Sequence, residues 1–153
     1  MERRSCVSNL ATLCCTAWDS FSKRSQTDCI YTDYTSAFQS VDHRLLSHKF
    51  RHSFHLSDKA LAWLQSYLEG RLQRVVVNGK CSEWTKVKSG TPEGGLLSPL
   101  MFTMFINDLP LEIVKSSVLM FADDVKLYQK LDSPCDVADQ QNDLDKLSMW
   151  SKR

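Results

Sequence analysis

The chain has 153 residues, 42% of them hydrophobic, with four Trp and seven Phe. This is one domain's worth of sequence with enough apolar material for a core, and it excludes an intrinsically disordered segment. Nineteen basic and 18 acidic residues leave a formal net charge of +1, so any nucleic-acid-binding surface has to be a local patch.

Six cysteines at positions 6, 14, 15, 29, 81 and 135 include no C-x-x-C pair. That spacing argues against a disulfide framework and a zinc ribbon, and the residues read as reduced thiols of an intracellular protein. The opening MERRSCVSNLATLCCTAW puts basic residues before a mildly apolar run, but Ser8, Asn9 and Thr12 interrupt it, against a signal peptide. No run approaches the roughly 18 apolar residues of a membrane span, so no membrane partner is expected.

In chain order, residues 8–24 read as a helix of moderate amphipathicity, and CIYTD, Cys29 to Asp33, as a short buried strand ending in an acid. From Ala37 the apolar positions Phe38, Val41, Leu45, Leu46 and Phe50 recur at helical spacing and predict a second helix. Ser57 caps a third, with Leu61, Leu64 and Leu68 on one face and Gly70 as its stop. RVVVNGKCSEWTKV is β-branched on both sides of Asn78-Gly79 and predicts a β-hairpin. The turn-rich loop SGTPEGG follows, then a helix over 96–109 with Pro99 near its first turn. A second hairpin, with strands 118–121 and 125–128, and a helix over 136–150 complete an α β α α β β α β β α order, an α+β pattern.

The second hairpin carries the chemistry. In VLMFADDVKLYQ, Asp123 and Asp124 stand side by side at the turn between two apolar strands. Like charges that close repel unless a cation lies between them. The plain alternative is a polar turn exposed to water. Asp33 adds a third carboxylate at a strand end, and a sheet that sets its strand beside the hairpin gathers all three at one edge. Such an oxygen-rich set suits Mg²⁺, and two ions roughly 4 Å apart can activate a hydroxyl and steady a leaving oxygen.

Four blocks, IYTDYTSAFQSVDHRLLSHKF, WLQSYLEGRLQRVVVNG, SGTPEGGLLSPLMFTMFINDLP and the FADD turn, occur in an order that closely resembles the reverse transcriptase of non-LTR (LINE-type) retrotransposons, from about Thr27 to Trp150. The resemblance implies the palm subdomain of a right-hand polymerase: an antiparallel sheet with helices packed on one face, partial fingers and no complete thumb. It implies residues 1–26 as an N-terminal helical extension and 27–153 as a partial palm domain. The implied reaction is RNA-directed DNA synthesis, with Asp33, Asp123 and Asp124 catalytic and, with the backbone carbonyl of Tyr34, holding two Mg²⁺ ions, Mn²⁺ being a substitute. Phe38 matches the aromatic that crowds the sugar 2′ position. Phe38, Gly90, Pro92, Glu93 and Gly94 are the implied nucleotide-binding set, and INDLP is a structural block. The implied partners are an RNA template, a DNA primer and deoxynucleotides, together with other element-encoded protein supplying the missing fingers and thumb. The implied location is intracellular, and nuclear by family analogy. From the residues themselves, Arg71, Arg74 and Lys80 around the first hairpin are candidates for phosphate contact, the plain alternative being exposed side chains that only solubilise the hairpin.

Four positions depart from the family pattern: Ser36 in place of its Lys, Gln39 in place of its second Asp, and Glu93 and Gly95 in place of the loop's Gln and Ser. Glu93 puts a negative charge close to nucleic acid and phosphate, a cost to binding unless it is paired or protonated. The reading is therefore of a truncated or degenerate copy. Its alternative is a catalytically inactive palm-fold fragment acting as a binding or scaffold module. A third reading takes His48, His52 and His55, at i, i+4 and i+7, as one helical face holding a transition metal.

Overall fold

The computed structural model describes residues 5–152; the basic residues at 1–4 lie outside that range. The elements run α1 (Cys6–Ser22), β1 (Gln26–Thr32), α2 (His43–His52), α3 (Asp58–Leu68), β2 (Leu72–Gln73), β3 (Val76–Val77), β4 (Lys80–Cys81), β5 (Thr85–Lys86), α4 (Ser98–Ile106), α5 (Leu109–Glu112), β6 (Ser117–Phe121), β7 (Asp124–Leu131) and α6 (Pro134–Ser151). The chain forms two compact units. One is the stretch up to Thr35 joined to the stretch from Asn107 onward; the other is Ser36–Ile106. The six cysteines are free thiols. Among the described residues no helix is long and apolar enough to cross a membrane.

The first unit is built on an antiparallel sheet of order β1-β7-β6. Its central strand β7 buries Val125, Leu127 and Tyr128. Adjacent residues of one strand point to opposite faces, so burial of both Leu127 and Tyr128 means that the sheet is covered on both sides. On one side the Ser20 hydroxyl of α1 lies 2.6 Å from that of Thr27. On the other, Tyr34 meets Trp150 of α6, with ring centroids 6.2 Å apart. This corrects the expectation of helices on one face only. Ser5 starts α1 through a reciprocal capping box with Ser8, and the Asn9 side-chain amide donates to the Met120 carbonyl at 3.0 Å. The helix expected over 8–24 is therefore part of this unit's packing.

The second unit packs α2 against α3 and α4, burying Leu46, Phe50, Leu61, Leu68, Met101, Phe102 and Ile106. The helix expected from Ala37 begins only at His43. Residues 35–39 form a turn, with Ser36 at φ 55°. Asp42 then caps α2 by accepting from the Arg44 and Leu45 amides at 2.8 and 2.9 Å, so Phe38 and Val41 point inward from a turn and not from a helix. The helix expected over 96–109 runs from Ser98 to Ile106, and α5 follows with Pro110 in its first turn.

The first hairpin forms around Asn78-Gly79, with φ of 50° and 76°, as the two-residue turn requires. It is not one continuous ladder. Val76 pairs with Cys81 and Val77 with Lys80, whereas Leu72 pairs with Lys86 and Gln73 with Thr85. The register shifts by one residue between these pieces, leaving an extra residue on the second limb, a β-bulge.

Candidate active site

The paired acids sit where β6 turns into β7. Phe121 pairs with Asp124, so Ala122 and Asp123 form the turn and Asp124 opens the strand. Ala122 has φ 51°, a left-handed conformation that is rare for a residue with a Cβ and is retained at functional turns. On the other side of β7, β1 pairs from Gln26↔Leu131 to Thr32↔Val125. One step further, that register sets Asp33 opposite Asp124. The three carboxylates thus share one end of the sheet, with Asp33 and Asp124 exposed and Asp123 half-buried.

Among the described residues no hydrogen bond or ion pair ties up any of these three side chains. Nor does any group of three or more His, Cys, Asp or Glu stand as a ready-made metal site, this trio included. Carboxylate oxygens without a protein cation are the donor chemistry that a hard divalent ion takes, and in that sense the residues fit one. Tyr34 turns its side chain inward beside Trp150. Its hydroxyl is buried without a hydrogen-bond partner, and burial pushes its pKa up to about 12.

In the second unit the SGTPEGG loop is clamped to the turn that precedes α2. The Gly90 amide donates to the Val41 carbonyl at 2.8 Å and the Thr91 amide to the Phe38 carbonyl at 2.9 Å, while the Ser89 hydroxyl donates to the Gln39 carbonyl at 2.9 Å. Gly90 is the hinge of this contact: its φ is 80°, and a Cβ there would lie 2.6 Å from the Gln39 Cα. The Gly90 carbonyl accepts from His43 Nε2 at 2.8 Å and from the Arg71 guanidinium. Arg71 Nε also donates to the Leu68 carbonyl at 2.9 Å, and burial pushes the Arg71 pKa down. Arg71 is thus committed to carbonyls of its own unit, whereas Arg74 is exposed and lies over the Trp84 ring.

Two of the four departures from the family pattern meet here. The Gln39 side-chain amide donates to the Glu93 carboxylate at 2.5 Å, so the Glu93 carboxylate has a hydrogen-bond partner. Phe38 packs on Phe102 with ring centroids 4.5 Å apart. Pro92 is half-buried, and Glu93 and Gly94 are exposed; the Pro92 carbonyl accepts from the Gly95 amide at 3.1 Å and the Ser98 hydroxyl at 2.5 Å. The contacts of His43 and Ser89 escaped sequence reasoning, because their partners lie 47 and 50 residues away. The transition-metal reading fails on geometry: α2 ends at His52, so His55 is not on its face.

The family model "Reverse transcriptase (RNA-dependent DNA polymerase)" matches residues 4–153, and the chain belongs to that family. It is 32% identical over 143 residues to a probable RNA-directed DNA polymerase from transposon X-element of Drosophila melanogaster, covering 90% of this chain and 15% of that one. It is 26% identical over 143 residues to the RNA-directed DNA polymerase from mobile element jockey of Drosophila funebris, covering 88% and 15%. A third relative, a probable RNA-directed DNA polymerase from transposon BS of Drosophila melanogaster, is 29% identical over 142 residues, covering 87% and 15%. The chain spans about 15% of the length of these curated relatives.

Proposed function

We propose that this chain carries the catalytic palm of an RNA-directed DNA polymerase of a LINE-type retrotransposon, with part of the fingers. The observation that supports this most is the β1-β7-β6 register, which puts Asp33 opposite Asp124 and beside the turn bearing Asp123. Those three carboxylates, with the Tyr34 carbonyl, would hold divalent cations, Mg²⁺ or in its place Mn²⁺. Bound there, the ions supply charge stabilisation for the attacking primer 3′-hydroxyl and the leaving pyrophosphate.

The rest falls to the chain's own groups. Asp123 and Asp124 are neighbours at the turn after Ala122, and Asp33 follows a separate strand, so the donors come from two strands at one end of the sheet. The 89–95 loop, with Phe38, Gly90, Pro92, Glu93 and Gly94, forms the surface for the incoming deoxynucleotide. Arg74 contacts the RNA template or DNA primer, and Arg71 serves the same end by holding the loop through Gly90. Reverse transcription of a chromosomal element implies a nuclear place of action, and other parts of the longer polymerase, or other element-encoded protein, complete the fingers and thumb.

Primer extension on an RNA template with Mg²⁺ and deoxynucleotides tests this, with the chain compared against its Asp123→Asn, Asp124→Asn double variant. The expected result is extension that disappears in the variant. Extension that survives the double substitution, or a folded wild-type chain that extends nothing, overturns the assignment and favours an inherited palm fold used as a binding module.

A further inference from the structure

The first hairpin is the most exposed part of the second unit. Leu72, Val75, Val76, Val77 and Trp84 are all exposed on it, an unusual cluster of large apolar side chains for a solvated segment. A two-stranded ribbon of this kind is marginal by itself in water, so the segment is built to be covered.

Its charge says by what. Residues 71–88 hold five basic side chains, at 71, 74, 80, 86 and 88, against one acid, Glu83. That is a local net charge of +4 in a chain whose total is +1. The complementary partner is a polyanion.

The bulge then decides how these groups are presented. With Val76 opposite Cys81 and Gln73 opposite Thr85, Arg74 stands opposite Trp84, and the Arg74 guanidinium lies 4.6 Å from the Trp84 ring centroid. Residues directly opposite share a face, and positions 84 and 86 lie two apart on one limb, so Trp84, Arg74 and Lys86 share one side of the ribbon. Trp84 is 57% exposed, leaving ring surface open. An exposed indole flanked by a guanidinium and an ammonium accepts an unpaired base by stacking and its phosphates by charge. A duplex offers no free base face to stack.

We infer that this ribbon is a docking site for an unpaired RNA strand, stacked on Trp84 and held through Arg74 and Lys86. The inference rests on the polymerase reading above, in which such a strand is the template. It assigns Trp84 and Lys86 a role that the motif blocks do not.

Fluorescence anisotropy of a labelled single-stranded RNA, and of an RNA duplex of equal length, tests it with the full chain and two variants, Trp84→Leu and Arg74→Gln with Lys86→Gln. Circular dichroism checks that each variant folds. Trp84→Leu should weaken single-strand binding about tenfold and leave duplex binding within about twofold, as the loss of one stacked base predicts. The charge variant should lower the salt dependence of single-strand binding by about one and a half counterions. Unchanged affinity in Trp84→Leu, or an equal loss on duplex, overturns the inference; a loss confined to a DNA strand of the same sequence overturns the assignment to RNA. Self-association that Trp84→Leu abolishes, without any effect on RNA, assigns the ribbon to a protein partner instead. The two readings fail separately: a chain that extends primers but is indifferent to Trp84 refutes the hairpin site alone. A chain that needs Trp84 for RNA yet extends nothing refutes the polymerase alone.

Discussion

Asp143 on α6 offers the sharpest test of how the first unit is held together. Its side chain is 0% exposed, yet every acceptor direction is used. Oδ2 accepts from the Ser116 and Lys115 amides at 2.7 and 2.8 Å, and Oδ1 from the Val114 amide at 3.2 Å and from Lys146 Nζ at 3.0 Å. The carboxylate thereby pins the loop that leads into β6, the strand that delivers the paired acids. Burial pushes its pKa up, but the hydrogen bonds from Ser116, Lys146, Lys115 and Val114 outweigh it and bring the group from 3.8 down to about 2.

At about 1.4 kcal/mol per tenfold change in proton affinity, that drop is about 2 kcal/mol of stability tied to the ionised form. Because the folded pKa lies below the unfolded one, the contribution is complete above about pH 5 and is lost as the pH falls through 3.8 towards 2. Asp143→Asn keeps the volume but turns an N–H₂ towards backbone donors, and it should cost about 2–4 kcal/mol at pH 7. Urea unfolding of both chains at pH 7 and at pH 2.5 checks this, with the gap between them narrowing by about 1–2 kcal/mol in acid. A cost below about 0.5 kcal/mol at pH 7, or a gap that does not change with pH, would refute the reasoning.

Two further substitutions probe the loop clamp in the second unit. Gly90→Ala puts a Cβ 2.6 Å from backbone at a φ of 80°, and should lower stability by about 2–4 kcal/mol, read as a fall in Tm; a change of under 2 °C would show that the clamp yields freely. A double-mutant cycle over Gln39→Ala and Glu93→Ala should return a coupling of about 1 kcal/mol, modest because the pair is exposed. Coupling indistinguishable from zero would leave the Gln39–Glu93 contact without energetic weight.

What could be read without the fold were the features that neighbours in sequence decide. Asn78-Gly79 names its own turn, since both residues take φ > 0 with little strain, and Ser57 names the start of α3 by accepting from the Ala60 amide. The adjacency of Asp123 and Asp124 at a turn between apolar strands was likewise visible. The start of α2 was misplaced, because the apolar spacing of Phe38 and Val41 suits a helix as well as it suits an inward-facing turn. What settles the matter is the loop around Gly90, which binds the Phe38 and Val41 carbonyls and leaves the segment no helical ladder.

Tertiary structure alone decided the pairings over long distance. Nothing in CIYTD states that its strand lies beside β7 and not β6, yet that choice puts Asp33 opposite Asp124. Nothing near Glu93 announces Gln39, 54 residues earlier. The one-residue bulge that puts Arg74 over Trp84 is equally silent in a sequence whose two limbs read as a plain hairpin. Local propensity acts over a turn or two of chain, whereas strand neighbours and loop clamps are fixed by which faces must be buried together and which backbone groups must find partners. The sequence of this protein determined the acids and the turns that present them, and the packing determined which of them meet.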